Sequence, residues 1–152
     1  MHGLLRAAGV PHASVDFDAL TAWFPRPDDD PWGTNVGLQN LAALWTSYSR
    51  AGAVRLLIAA VVESRSELAG YARAVPGAEL RVVRLRAHPD TLQARVRRRG
   101  QGLGMEWHLR RAVELAGLMD AARVEDVLIE TDDRDATSVA REILSHEGWS
   151  AK

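Results

Sequence analysis

Three arginines on one predicted helix carry side chains suited to binding phosphate. Arg95 and Arg99 are four residues apart and therefore share a helix face, with Arg98 beside them. Guanidinium groups bind phosphate oxygens in a forked geometry and can stabilise the negative charge on a phosphoryl group during its transfer. Arg110 and Arg111, beyond a glycine-containing break, would complete such a clamp. The alternative is a solvated basic face, which charge runs on helices commonly form.

Carboxylates follow two of the predicted strands. Asp16 and Asp18 come at the end of the first predicted strand, and Glu63 follows the apolar run 54–62. Ligands of parallel α/β sheets bind outside the carboxyl ends of the strands, which is where we expect these side chains. The alternatives are that Asp16 or Asp18 caps the following helix, and that Glu63 faces solvent or pairs with Arg65.

The glycines and histidines do not match a known binding motif. Gly100, Gly102 and Gly104 follow a helix, whereas a dinucleotide-binding fingerprint requires a strand before it. These glycines predict a flexible lid tip or, alternatively, a plain helix–helix turn. The H-x-x-x-H spacing of a helical metal site is not found among His12, His88, His108 and His146. A histidine metal site is therefore not predicted.

The composition is that of an ordinary soluble protein with one domain. The net charge of the 152 residues is −1, which argues against a general nucleic-acid binder. Cysteine is absent, which excludes disulfides and thiolate metal sites, and no apolar run approaches the length of a membrane span. We therefore expect a cytoplasmic protein without nucleic-acid or membrane partners. Lys152 is the only lysine, so chemistry that needs a loop lysine is excluded for this chain.

Short β-rich runs alternate with longer amphipathic helices along the chain. The strands are predicted over residues 13–16, 54–62, 80–86 and 127–130. The helices are predicted over residues 36–50, 64–74, 89–99, 105–123 and 136–143. The second strand is nearly all apolar and is expected to be buried on both faces. This alternation predicts βαβ units, and hence a mostly parallel sheet with helices on both faces.

The order of these elements resembles that of the small P-loop kinases, which include adenylate, shikimate, gluconate and adenylylsulfate kinases and antibiotic phosphotransferases. Residues 82–100, VVRLRAHPDTLQARVRRRG, are similar to the strand, proline-capped helix and arginine cluster that open the family's lid region. Residues 127–135, VLIETDDRD, look like its last strand and adenine-side loop. Residues 3–18 look like the end of its first helix followed by its second strand.

The resemblance implies one three-layer α/β/α domain over residues 1–152, with a lid at about 95–111, that uses ATP and Mg²⁺ to phosphorylate a small molecule. It implies that Asp16 and Asp18 face the phosphate acceptor or a Mg²⁺-bound water and that Glu63 orients Mg²⁺. Lid arginines, with Arg95 and Arg99 as catalytic residues, would act on the transferring phosphoryl group. The residues implied to bind the nucleotide are Arg98, Thr131, Asp132 and Arg134. For the loop after the last strand, the alternative is a turn with a helix cap.

The chain departs from the family at its start. The family's first strand and G-x-x-x-x-G-K-[ST] loop would precede the first helix, and no such motif occurs in this sequence. We therefore expect a domain that lacks the central strand of the family's 2-3-1-4-5 sheet and that is inactive as given. Either a misplaced gene start or a true loss of the strand and loop would explain this. The alternative is a non-catalytic module that binds a nucleotide or a protein partner. The strands beside the gap are expected to pair with each other or to recruit a partner, for example in a homodimer.

Overall fold

The structure, a computed structural model, describes residues 1–100 and 104–149. These residues divide into two compact units. The first unit comprises residues 1–61, 66–80 and the segment from Leu144 on, and the second comprises residues 62–65 and 81–143. Gly102, part of the predicted lid tip, lies outside the described residues. No helix within the described ranges is long and apolar enough to cross a membrane.

The first unit is built from helices around one pair of parallel strands. Its elements are α1 (His2–Ala7), β1 (Ala13–Asp16), α2 (Phe17–Leu20), α3 (Thr34–Arg50), β2 (Leu56–Ala59) and α4 (Arg65–Ala74). The first residue of α4, Arg65, belongs to the second unit. Ala13 lies opposite Leu56 in the strand pair, and Asp16 lies opposite Ala59. Leu5 and Leu41 are fully buried in the core of this unit.

Two glycines allow α3 to pack closely against its neighbours. A Cβ atom added at Gly37 would lie 2.8 Å from Cζ of Phe17, and one added at Gly70 would lie 2.6 Å from Cδ1 of Leu38. Both distances are shorter than carbon atoms tolerate, so a side chain at Gly37 or Gly70 would force Phe17 or Leu38 to shift. Phe17 also contacts Tyr71, with 5.1 Å between the ring centroids.

The prediction that residues 54–62 form a strand buried on both faces is wrong. β2 spans only Leu56–Ala59, its first three residues are half-buried, and Ala59 is exposed. Val54 and Val61 are 65% and 44% exposed. A strand is buried on both faces only when neighbouring strands and covering layers surround it, and within the described ranges β2 pairs with β1 alone.

The second unit holds another pair of parallel strands. Its elements are β3 (Val83–Arg86), α5 (Pro89–Arg99), α6 (Met105–Ala122), β4 (Val127–Glu130) and α7 (Ala136–His146), of which residues 144–146 belong to the first unit. Val83 lies opposite Val127, and Arg86 forms an ion pair with Glu130, its partner in the register. The core includes Ile129, which is only 1% exposed. β3 and β4 pair only with each other among the described residues.

A buried arginine attaches β3 to the end of α6. Arg84 forms an ion pair with Asp120 at 2.8 Å and a longer one with Glu125 at 3.8 Å. Its guanidinium group also donates a hydrogen bond to the Ala116 carbonyl at 3.1 Å. A buried charge is tolerated only when it is paired and hydrogen-bonded, so these contacts are what permit an arginine inside this unit.

The predicted class, mixed α/β with parallel strands, is confirmed. β1, β4 and α5 begin and end at the predicted residues. The three-layer arrangement and the missing central strand stay predictions.

Candidate functional site

The start of α5 is fixed by the loop that follows β4. Pro89 occupies the first turn of the helix, and His88 precedes it as the N-cap. The Asp132 carboxylate accepts hydrogen bonds from the His88 backbone N–H at 3.0 and 3.2 Å. Hydrogen bonds from the Thr91 side chain and the His88 backbone hold the pKa of Asp132 below its ordinary value. Asp132 therefore acts here as an ionised group that positions α5.

Arg95 connects α5 to the carboxyl ends of both strands. Its guanidinium group donates to the Thr131 hydroxyl at 2.8 Å and to the Thr131 carbonyl at 2.6 Å. Thr131 is buried, and its hydroxyl donates in turn to the Arg86 carbonyl at 2.8 Å. Because three elements share these hydrogen bonds, the Arg95 side chain is held in one orientation before any ligand binds.

A pocket of about 410 Å³ lies between α5 and the loop after β4. Its lining residues are Thr91, Ala94, Arg95, Arg98, Asp133 and Arg134. Arg134 is held by the Glu130 carbonyl at 3.0 Å and the Glu142 carboxylate at 2.6 Å. Arg98 is exposed, and no hydrogen bond or ion pair joins it to another residue in the described ranges. The pocket therefore offers two restrained guanidinium groups and one available guanidinium group.

The pocket groups the arginines differently from the sequence prediction. Arg98 shares the pocket with Arg95, three residues earlier, whereas Arg99 is exposed and does not line it. Three lining residues, Thr91, Ala94 and Asp133, are not among the site residues predicted from the sequence. Thr91 and Ala94 lie with Arg95 and Arg98 at i, i+3, i+4 and i+7, so the helical period could have found these two.

Glu63 lies in the second unit and pairs with an arginine of α6. Its carboxylate is 2.5 Å from Arg111, which also contacts Glu114 at 3.0 Å. Arg65, the alternative partner, instead donates to the Arg123 carbonyl at 3.2 Å. Within the described ranges, no three His, Cys, Asp or Glu side chains are grouped as metal ligands. Mg²⁺ in nucleotide sites commonly takes only one or two carboxylates, with phosphates and water, so a group of three carboxylates is not needed for such an ion.

The two aspartates at the carboxyl end of β1, Asp16 and Asp18, belong to the first unit. Asp16 caps α2, since its carboxylate accepts the Asp18 backbone N–H at 3.1 Å, as the capping alternative predicts. The Asp18 carbonyl accepts the Thr21 hydroxyl at 2.9 Å. Both aspartates are exposed, so their carboxylates keep contact with solvent.

Comparisons with known proteins give a likeness of fold. Neither the protein-family models nor the curated protein sequences contain a match to this chain. Among solved structures, that of the Deinococcus radiodurans tunicamycin resistance protein is similar, with a TM-score of 0.62 and 14% sequence identity. The likeness covers 96% of this chain and 90% of that one. It shows a shared α/β fold, compatible with the kinase-like class that the sequence predicts.

Proposed function

We propose that this chain is the kinase-like domain of an enzyme that transfers a phosphoryl group from ATP to a small molecule. The pocket beside α5 is the observation that carries this proposal. Its three guanidinium groups suit phosphate oxygens or the face of a purine base, and Ala94 provides an apolar contact for the base. The proposed ligand of the pocket is therefore the nucleotide.

The proposed roles follow the contacts of each residue. Arg98 contacts the nucleotide directly, and Arg134 borders it. Thr131 and Asp132 shape the pocket by holding Arg95 and the start of α5. Outside the pocket, Arg99 acts on the transferring phosphoryl group, Glu63 binds Mg²⁺, and Asp16 and Asp18 face the acceptor. Bound ATP would supply the phosphoryl group, and Mg²⁺ would neutralise its charge.

The acceptor is proposed to be a small molecule of the antibiotic type. The similar structure belongs to a protein named for tunicamycin resistance, and tunicamycin is therefore the first acceptor to test. A shared fold does not determine which acceptor an enzyme phosphorylates, so the acceptor has to be identified by the assay.

These 152 residues contain no G-x-x-x-x-G-K-[ST] motif. That loop would supply backbone N–H donors and a lysine for the phosphates. We therefore expect the chain to bind nucleotide but not to transfer phosphate by itself. The same observation favours a second candidate function, a non-catalytic module that binds a nucleotide or a protein partner.

The first test is binding of ATP with Mg²⁺ to the 152-residue chain, measured by calorimetry. Arg98→Ala is expected to weaken binding about fivefold, because a stacked or phosphate-bound guanidinium contributes about 1 kcal/mol. Arg97→Ala is the matched control, since it removes an exposed arginine of the same helix that does not line the pocket. Equal losses in the two variants, or no binding to the unaltered chain, would refute the pocket assignment.

The second test separates the enzyme from the module. Tunicamycin, ATP and Mg²⁺ are incubated with the chain and with any longer product of its gene that includes the phosphate loop. Transfer by the longer product alone supports the enzyme. Binding of ATP without transfer by either protein supports the module, and robust transfer by the 152-residue chain contradicts the expected need for the loop.

A further inference from the structure

A second cavity lies in the first unit and takes no part in the proposed function. It has a volume of about 490 Å³ and is lined by His2, His12, Ala13, Ser14 and Tyr48. We propose that His2 and His12 bind a divalent late transition-metal ion at this cavity, with Ni²⁺ and Cu²⁺ as the best-fitting ions. Imidazole nitrogens are ligands that these ions prefer.

His12 is held in the tautomer that a metal ligand needs. Its Nδ1 atom lies 2.7 Å from the Val10 carbonyl oxygen. A carbonyl oxygen only accepts hydrogen bonds, so Nδ1 must carry the proton, and the unprotonated Nε2 atom of the neutral ring accepts a hydrogen bond from Nδ1 of His2. Metal-binding histidines usually donate their second ring N–H to a carbonyl or carboxylate in this way, which fixes the orientation of the ring.

The Nδ1 atom of His2 faces the Nε2 atom of His12 at a distance that suits a shared ion. Nδ1 of His2 lies 2.9 Å from Nε2 of His12, with 4.8 Å between the ring centroids. Two nitrogens bound to one ion at about 2.0–2.1 Å, at a right angle, lie about 2.9 Å apart. That angle belongs to the tetragonal geometry of Cu²⁺ and Ni²⁺. Binding requires His2 to move its proton from Nδ1 to Nε2 through solvent, and both rings to turn toward the ion.

Water would complete the coordination. Within the described ranges, no third His, Cys, Asp or Glu joins the pair as a metal-binding group. The cavity is large enough for several waters, and the hydroxyl groups of Ser14 and Tyr48 line it as possible hydrogen-bond partners for them. The proposed site therefore binds its ion exchangeably, through two protein nitrogens.

The sequence prediction of no histidine metal site relied on helical spacing and did not consider His2. His2 and His12 are ten residues apart, in α1 and just before β1. The chain reverses between them at Gly9, whose φ of 66° is in the left-handed region, and at Val10, whose N–H donates to the Leu5 carbonyl at 3.0 Å. This turn, which no spacing rule includes, brings the two rings together.

The test is calorimetric binding of Ni²⁺ to the untagged 152-residue chain at neutral pH. His2→Gln and His12→Gln are each expected to weaken binding at least tenfold, because even second-shell partners of a metal are worth about 10–100-fold. His108→Gln is the control, since it removes a histidine of the second unit, and it should leave Ni²⁺ affinity unchanged.

A second measurement needs no substitution. Substoichiometric Cu²⁺ added to the unaltered chain should broaden the ring proton resonances of His2 and His12 before those of the other histidines. A loss of Ni²⁺ binding in His2→Gln but not in His12→Gln would assign the ion to His2 and the terminal amine, and would overturn the proposal. Unchanged binding in both variants, or uniform broadening of all the histidines, would overturn it as well.

Discussion

The two parallel strand pairs have the same length and register but differ at their carboxyl ends. β1 ends at Asp16, an exposed residue whose carboxylate caps α2. β4 is followed by Thr131, a buried residue that is bonded to Arg86 and Arg95. The second unit therefore has an ordered arginine site before any ligand binds, whereas the first offers solvated carboxylates. A ligand loses less free energy to ordering when it binds the prepared site.

The largest expected difference between the two pairs is in their cores. Ile129 and Ile58 are both the third residue of a four-residue strand, but Ile129 is 1% exposed while Ile58 is half-buried. Ile129→Ala is expected to lower the free energy of unfolding by about 2–5 kcal/mol, and Ile58→Ala by about 1–2 kcal/mol, because the lost burial is smaller. Urea unfolding of both variants measures this. Equal costs would mean that the two strands are equally covered in solution.

A smaller difference is expected for two threonines near the strand ends. Thr131→Val removes a buried hydroxyl that bonds to Arg95 and to the Arg86 carbonyl, and should cost about 1–3 kcal/mol. Thr21→Val removes one solvent-exposed hydrogen bond to the Asp18 carbonyl, and should cost under about 1 kcal/mol. Denaturant unfolding compares them. A cost for Thr131→Val no larger than that for Thr21→Val would show that the arginine site is not ordered beforehand.

The smallest expected effect is a loss of stability at alkaline pH, which we assign to Tyr71 in the first unit. Burial, with the charges of Glu67 and Asp18, raises the pKa of Tyr71 to about 12. The folded state thus favours the neutral phenol, so this stability is complete below pH 10 and is lost as pH rises toward 12. At pH 11 the expected loss is about 1 kcal/mol.

Unfolding at pH 8 and pH 11 tests this assignment. Tyr71→Phe should remove the alkaline loss, and Tyr48→Phe, which changes an exposed tyrosine of the same unit, should retain it. If the loss persists in Tyr71→Phe, another group causes the alkaline sensitivity.

The elements that could be predicted from the sequence are those specified by local patterns. α5 has its proline in the first turn and its glycine after Arg99. β1 alternates buried and exposed residues, and β4 is a short, mostly apolar run. The predicted strand 54–62 is longer than β2, because an apolar run shows which residues favour a strand but not how many neighbouring strands cover it.

Part of the pocket lining was predictable from the sequence, but its contacts were not. Arg95 and Arg98 of the cluster and Arg134 of the loop after β4 are predicted site residues, and they line one pocket. The hydrogen bonds that order it join Arg95 to Thr131, 36 residues away, and Glu63 pairs with Arg111 rather than with nearby Arg65. Such pairs depend on how the elements pack, which spacing along the chain does not report.

The buried Arg84 also constrains the order in which the chain can fold during synthesis. Its carboxylate partner Asp120 comes 36 residues later in the sequence. At about 5–20 residues per second, the ribosome adds that partner about 2–7 seconds after β3. Until then the arginine has to stay hydrated, which keeps β3 out of any compact nascent structure. The second unit is therefore expected to complete its folding only after most of the chain has been translated.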